Sequence, residues 1–119
     1  MSTLNNVSKK IKVGITIGDP GGIGSEIIIK ALRMPSIKRI ADFVIIGDRW
    51  SFNRSLPKGS KPVDNINFID LKNVARRKFS FGKIKAEYGR ASIEYLDRAI
   101  ELINNKTIDC IVTCPISKQ

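Results

Sequence analysis

The sequence contains no histidine among its 119 residues. Imidazole is the side chain whose ordinary pKa lies closest to neutral pH, and it is a common ligand of zinc and iron. A Ser-His-Asp triad, a histidine general base and a histidine-ligated metal site are therefore excluded within these residues. A reaction that requires one of these groups must obtain it from residues outside this sequence.

Long apolar runs and paired cysteines are also missing. No stretch approaches the ~18 apolar residues that cross a bilayer, and residues 1–10 lack the apolar core of a secretory signal. The two cysteines, Cys110 and Cys114, have the spacing of neither a redox pair nor a zinc half-site. These absences predict a cytoplasmic protein with free thiols and no membrane partner.

Acidic residues are few relative to basic ones: 11 Asp and Glu stand against 21 Lys and Arg, which gives a formal net charge of +10. Such an excess attracts nucleic acid, anionic membranes or phosphorylated metabolites. The basic residues are scattered over loops and chain ends, which favours solubility over nucleic-acid recognition. We therefore expect no nucleic-acid partner, and a small basic nucleic-acid-binding module is the alternative from another functional class.

What is present is an ordinary globular balance, with 42% hydrophobic and 27% charged residues. Apolar patterning predicts strands at 11–17, 43–46, 66–71 and 110–113, helices at 25–34 and 86–104, a loop-rich segment at 51–64 and irregular chain at 72–85. Strands that alternate with helices predict an α/β fold, a mostly parallel sheet with helices on both faces. We expect Ile27 and Leu96 to pack against this sheet, and residues 1–119 to form a single, incomplete, amino-terminal α/β domain.

A glycine-rich loop, Gly18 to Gly24, links the first strand to the first helix. Glycines at a helix start allow backbone N–H groups to approach an anion. The spacing matches neither a Walker A loop nor a dinucleotide-binding G-x-G-x-x-G motif, and Pro20 removes one donor. A tight structural turn and a ligand-contacting loop both remain open.

The last predicted strand is followed by a segment that ends at residue 118 and contains Lys118. In parallel α/β sheets the carboxyl ends of the strands share one edge, where ligands bind. If the first and last strands are parallel, Asp19 and Lys118 face a common cleft. Lys118 is a phosphate-binding or proton-handling group in the functional interpretation and a surface lysine in the structural one.

Other side chains have a structural alternative beside a functional one. For Glu26, a carboxylate that stabilises the first helical turn is favoured over a catalytic role. The basic run from Arg76 to Lys78, with Phe79 and Phe81, has the composition of a nucleic-acid contact, but a solvated loop with two core-anchoring phenylalanines is favoured.

Three segments together resemble 4-hydroxythreonine-4-phosphate dehydrogenase, the NAD-dependent enzyme family of pyridoxal phosphate biosynthesis. Residues 15–26 read I-T-I-G-D-P-G-G-I-G-S-E, residues 82–91 read G-K-I-K-A-E-Y-G-R-A, and residues 111–118 read I-V-T-C-P-I-S-K. They are similar to I-T-x-G-D-P-A-G-I-G-P-E, G-x-x-S-A-E-x-G-x-A and I-V-T-A-P-I-N-K of the family. Gly21, Ser25, Cys114 and Ser117 depart from these patterns.

The resemblance implies a partial isocitrate-dehydrogenase-like domain of a two-domain subunit, which works as a homodimer on a phosphorylated small-molecule substrate. It implies NAD as cofactor, with NADP as the alternative, and a divalent metal whose histidine ligands lie outside this chain. We predict Lys118 as a catalytic-site residue and a substrate cleft lined by five further residues: Gly18, Asp19, Pro20, Thr113 and Pro115. The chain alone is expected to be inactive, and a related hydroxy-acid or dihydrodiol dehydrogenase is the alternative activity.

Overall fold

The computed structural model describes residues 10–63, 66–83 and 85–116. The strands are β1 (Ile11–Thr16), β2 (Ala41–Gly47), β3 (Asn67–Asp70) and β4 (Cys110–Thr113), and the helices are α1 (Gly24–Leu32), α2 (Pro35–Lys38), α3 (Arg49–Arg54) and α4 (Ala86–Asn104). Within these ranges, no helix combines the length and the apolar character needed to cross a membrane. Ser117 and Lys118 lie outside the described residues.

The four strands form one sheet in the order β3-β2-β1-β4, and each neighbouring pair is parallel. Val13 pairs with Phe43 of β2 on one side and with Cys110 of β4 on the other. The prediction of an α/β fold with a single parallel sheet is confirmed.

The chain direction places helices on both faces of this sheet. From β1 the chain steps to β2 and β3 on one side, and it then returns past both to reach β4 on the other side of β1. Because crossovers between parallel strands are right-handed, steps in opposite directions put their helices on opposite faces. Ile17, Ile45 and Ile46 are consequently fully buried between the layers.

Of the two residues predicted to pack against the sheet, one is wrong and the other is only partly buried. Ile27 is 45% exposed, because α1 begins at Gly24 and buries the stripe that contains Ile28 and Ile29. Leu96 is only partly buried, and the neighbouring Tyr95 is 0% exposed. Residues spaced three or four apart share a helix face, so a one-residue error in register rotates the predicted face by about 100°.

The segment 51–64, predicted to be loop-rich, contains the end of α3. This six-residue helix begins after Asp48, whose side chain accepts a hydrogen bond from Ser51 N at 2.8 Å. Its Phe52 enters the core at 2% exposure. By contrast, the described residues of 72–85 contain neither helix nor strand, as predicted.

Candidate functional site at the switch point of the sheet

The loops that follow β1 and β4 lie side by side at the carboxyl edge of the sheet. Cys114 N donates to Thr16 O at 3.1 Å, and Asp19 N donates to Pro115 O at 3.3 Å. From β1 the chain continues to β2 on one side, and it later returns to form β4 on the other side of β1. Ligand sites of open parallel sheets occupy such switch points. We call residues 18–24 the first loop, residues 113–116 the last loop, and the two together the switch-point edge.

Glycine is required in the first loop because backbone groups approach it closely. Gly18 has a φ of +74°, and a Cβ there would lie 2.3 Å from Pro115 O. A Cβ on Gly24 would lie 2.1 Å from Ile17 O. Real Cβ atoms do not come this close, so both glycines allow the tight turn that brings the two loops together.

The Asp19 side chain closes that turn. Its carboxylate Oδ1 accepts from Gly21 N at 2.8 Å, its carbonyl accepts from Gly22 N at 2.9 Å, and the residue is 4% exposed. Pro20 is fully buried, whereas Thr113 and Pro115 are exposed. The pairing of Asp19 with Lys118 stays a prediction, because Lys118 lies outside the described residues.

A third segment, residues 79–83, packs over the first loop. Gly82 N donates to Gly21 O at 2.8 Å, and Ser80 N donates to the Tyr88 hydroxyl at 2.9 Å. A Cβ on Gly21 would lie 2.7 Å from Tyr88 Cε2, so the buried tyrosine ring fills the space that an alanine methyl would need. All three segments that carry the family resemblance thus meet in their described parts at one edge of the sheet.

A cavity of about 280 Å³ adjoins the first loop on the side of α3. Its lining comes from three parts of the chain: Gly21, Gly22, Ile23, Glu26, Arg54, Ser55, Phe81 and Gly82. Sequence reasoning missed Arg54 and Ser55, because α3 was not predicted. The signal available in the sequence was Asp48, an N-cap residue three positions before Ser51.

Aromatic rings form a cluster behind this cavity, composed of Trp50, Phe79, Phe81 and Tyr88. Phe79 makes edge contacts with Trp50 at 5.2 Å and with Phe81 at 4.8 Å between ring centroids. Phe79 is partly buried and anchors its loop as expected, but Phe81 is 46% exposed and does not. The Arg54 and Arg76 guanidinium groups lie 5.4 and 5.5 Å from the centroid of the Trp50 ring.

Two carboxylates order the loops after β2 and β3, farther along the same edge. Asp48 is 2% exposed, and its Oδ1 accepts from Val74 N at 3.3 Å in addition to the bond from Ser51. Asp70 Oδ1 accepts from Arg49 N and Lys72 N, each at 3.0 Å. We call this arrangement the carboxylate-capped edge, and sequence reasoning did not anticipate it.

Burial keeps two ionisable side chains neutral. Desolvation, followed by the nearby charge of Asp48, raises the pKa of Tyr95, whose hydroxyl donates to Asn73 Oδ1 at 2.7 Å. Desolvation also raises the pKa of the Cys114 thiol. Neither group is therefore prepared to act as an anion at neutral pH.

A metal ion has no set of ligands within the described part of the chain. No three His, Cys, Asp or Glu side chains come together there in a way that could hold one. Asp19, Asp48 and Asp70 instead accept hydrogen bonds from backbone N–H groups. These residues do not fit the implied metal.

The sheet order and the glycine loop at the switch point define the chain as a parallel α/β domain of the class that binds ligands at its carboxyl edge. The family model described as pyridoxal phosphate biosynthetic protein PdxA matches residues 13–119. The chain belongs to this family.

Named relatives agree with this membership. The chain is 29% identical to a protein of Fusobacterium nucleatum and 30% identical to one of Halalkalibacterium halodurans, both named as D-threonate 4-phosphate dehydrogenases. These alignments cover 92% and 95% of this chain, and 38% of each relative. The chain thus spans well under half the length of the curated relatives it matches.

Solved structures share the fold. A 4-hydroxythreonine-4-phosphate dehydrogenase from Burkholderia phymatum superposes with a TM-score of 0.81 at 28% identity, over 93% of this chain and 38% of that one. A terephthalate 1,2-cis-dihydrodiol dehydrogenase from Burkholderia xenovorans LB400 gives 0.76 at 25% identity, over 92% and 35%. The names of these relatives and neighbours all describe dehydrogenases.

Proposed function

We propose that this chain is the amino-terminal part of an NAD-dependent dehydrogenase that oxidises and decarboxylates 4-hydroxythreonine 4-phosphate in pyridoxal phosphate biosynthesis. The match to the PdxA family over residues 13–119 carries the proposal. The contact between the first and last loops supports it, because these loops lie where open parallel sheets bind ligands. NADP is the alternative cofactor, and the whole protein acts in the cytoplasm as a homodimer with its site between two domains.

The proposed reaction transfers a hydride from the substrate carbon that bears the hydroxyl group, while that hydroxyl loses a proton. NAD supplies the nicotinamide ring that accepts the hydride. The resulting β-keto acid then loses carbon dioxide. We assign no step to a metal on these residues, because the acidic side chains of the switch-point and carboxylate-capped edges are used as backbone acceptors.

The chain's own contribution to this reaction is to bind and position the substrate. Gly18, Asp19 and Pro20 fix the first loop, and Thr113 and Pro115 are exposed beside it. The Lys118 ammonium group is assigned to the substrate's phosphate as an electrostatic contact. The formal net charge of +10 also attracts a phosphorylated, negatively charged substrate.

A second candidate substrate is D-threonate 4-phosphate, which the names of the relatives from Fusobacterium and Halalkalibacterium favour. It shares the phosphate and hydroxy-acid groups of the first candidate. A dihydrodiol lacks that phosphate and is the third alternative, supported by one named structural neighbour. Comparing kcat/KM of the full-length protein for the three substrates distinguishes these activities.

The site assignment is tested by Lys118→Ala in the full-length protein, with Lys61→Ala as the matched surface control. We expect a loss of at least about tenfold in kcat/KM for Lys118→Ala, about 1.4 kcal/mol of transition-state stabilisation, with little change in melting temperature. Equal kinetics of the two variants would refute the assignment. NAD reduction by the 119-residue chain alone would contradict its expected inactivity.

A further inference from the structure

Tyr88 lies in the first turn of α4 and is almost completely buried, at 2% exposure. Its ring lies against the first loop: a Cβ on Gly21 would come within 2.7 Å of Tyr88 Cε2 and 2.9 Å of Cδ2. Its hydroxyl oxygen accepts a hydrogen bond from Ser80 N at 2.9 Å. One side chain therefore contacts both the first loop and the segment 79–83 that packs over it.

The position of Tyr88 is set by the helix that carries it. α4 buries a stripe of residues that contains Ala91, Tyr95 and Ala99. Residues three or four positions apart share a helix face, so Tyr88 is the first member of this stripe. Because α4 packs on the sheet along that face, the Tyr88 ring connects a rigid element to a loop that is rich in glycine.

The segment 79–83 has neither helix nor strand, so individual contacts hold it in place. The hydrogen bond from Ser80 N to the Tyr88 hydroxyl is one of them, and the bond from Gly82 N to Gly21 O at 2.8 Å is another. The rings of Phe79 and Tyr88 also pack together, with 5.8 Å between their centroids. Removing the tyrosine hydroxyl takes away the acceptor of a part-buried backbone N–H group and loosens the segment.

We propose that Tyr88 is a positioning residue for the dehydrogenase reaction and that it acts through Gly21. Gly21 N donates to the Asp19 carboxylate at 2.8 Å, so a shift of Gly21 disturbs the turn that contains Asp19 and Pro20, both assigned to the substrate cleft. Small errors in the position of groups that bind substrate are costly to the rate. The inference rests on the proposed function, and one of its two readouts requires no turnover.

The first readout compares Tyr88→Phe with Tyr95→Phe in the full-length protein. Both are buried tyrosines of α4, and each variant loses one hydrogen bond, to Ser80 N or to Asn73 Oδ1. We expect Tyr88→Phe to lower kcat/KM for NAD reduction by about fivefold or more, and Tyr95→Phe to stay within about twofold. Their losses of melting temperature should be similar. A purely structural role for Tyr88 predicts instead that the two variants have similar kinetics.

The second readout is hydrogen–deuterium exchange of the same full-length variants without substrate, followed by mass spectrometry of peptides that cover residues 18–24 and 79–83. In Tyr88→Phe we expect exchange in both peptides to accelerate by about fivefold or more, because local opening becomes easier there. In Tyr95→Phe both peptides should exchange as in the unsubstituted protein.

A rescue experiment tests the contact between Gly21 and the Tyr88 ring. Gly21→Ala places a methyl group against that ring, and we expect it to lower kcat/KM by about tenfold or more. When Tyr88→Ala is added, Ser80 O at 3.0 Å becomes the nearest contact of the new Cβ, so the double variant should be at least about threefold more active than Gly21→Ala alone. If Gly21→Ala does not fold, the comparison of Tyr88→Phe with Tyr95→Phe decides.

Equal kinetics and equal exchange in Tyr88→Phe and Tyr95→Phe would overturn the proposal, and so would a double variant no more active than a folded Gly21→Ala. If the full-length protein lacks dehydrogenase activity but the two peptides exchange faster only in Tyr88→Phe, the proposed function fails and the positioning of the first loop by Tyr88 stands. An active dehydrogenase in which neither kinetics nor exchange responds to Tyr88→Phe would refute this inference alone.

Discussion

The switch-point edge and the carboxylate-capped edge lie at the same end of one sheet but are built differently. At the switch-point edge, glycines admit backbone contacts such as the one between Gly18 and Pro115. At the carboxylate-capped edge, Asp48 and Asp70 accept hydrogen bonds from backbone N–H groups. The comparison teaches that acidic residues at the carboxyl edge of a sheet can serve as acceptors for backbone N–H groups, while the loop with fewer ionisable side chains carries the family motif.

The largest expected effect on stability concerns Gly18. Its φ is positive, and the Pro115 carbonyl oxygen lies only 2.3 Å from the position that a Cβ would take. We expect Gly18→Ala to lower the free energy of unfolding by about 3 kcal/mol or more. Gly59→Ala is the matched control: its φ is +79°, but nothing lies within 4 Å of its Cβ position. It should cost about 1–2 kcal/mol from backbone strain alone. If urea unfolding gave equal losses of unfolding free energy for the two variants, the close approach of backbone atoms to Gly18 would not determine the conformation of the first loop.

A smaller loss is expected when the carboxylate-capped edge is broken at Asp48. Asp48→Ala removes the acceptor for Ser51 N and Val74 N, which we expect to lower the free energy of unfolding by about 2–3 kcal/mol. Asp97→Ala, on the exposed side of α4, should stay within about 0.5 kcal/mol. Similar denaturation midpoints for the two variants would contradict a capping role for Asp48.

The smallest effect concerns Tyr95, which is buried close to Asp48. Tyr95→Phe loses the hydrogen bond to Asn73 and should cost about 1 kcal/mol near pH 8. Because burial raises the pKa of Tyr95, the unfolded chain releases this proton above pH ~10 while the folded chain retains it. The free energy of unfolding of the unsubstituted protein should therefore fall as the pH rises past this value, and that of Tyr95→Phe should fall less. Parallel pH profiles of urea unfolding would contradict this linkage.

Sequence patterning predicts where the strands and helices of this fold lie better than it predicts which face of each helix is buried. The four strands are apparent because their apolar runs are short and bounded by polar or glycine residues. The buried face of α1 is not apparent from the sequence, because the start of this helix depends on a tertiary contact, the close packing of Gly24 against Ile17 O. α3 is too short for periodicity to be visible, and it depends on the Asp48 cap and on the burial of Phe52.

The same reasoning explains which parts of the site could be predicted. The first loop is contiguous in sequence, so its glycines and its family resemblance can be read directly. The adjoining cavity combines Ile23, Arg54 and Phe81, which are far apart along the chain and come together only in the folded structure. No local pattern joins these residues.

The most direct test of the account compares Gly22→Ala with Asp70→Ala in the full-length protein. A Cβ on Gly22 would lie 3.3 Å from the Asp19 carbonyl oxygen, a tight contact that a shift of a few tenths of an ångström relieves, so this variant should fold with only a small loss of melting temperature. If the first loop contacts ligand and the carboxylate-capped edge is structural, Gly22→Ala lowers kcat/KM for NAD reduction by about tenfold or more. Asp70→Ala should then lower the melting temperature and leave kcat/KM within about threefold. The reverse pattern, with normal kinetics for Gly22→Ala and a kinetic defect without loss of stability for Asp70→Ala, would contradict the account.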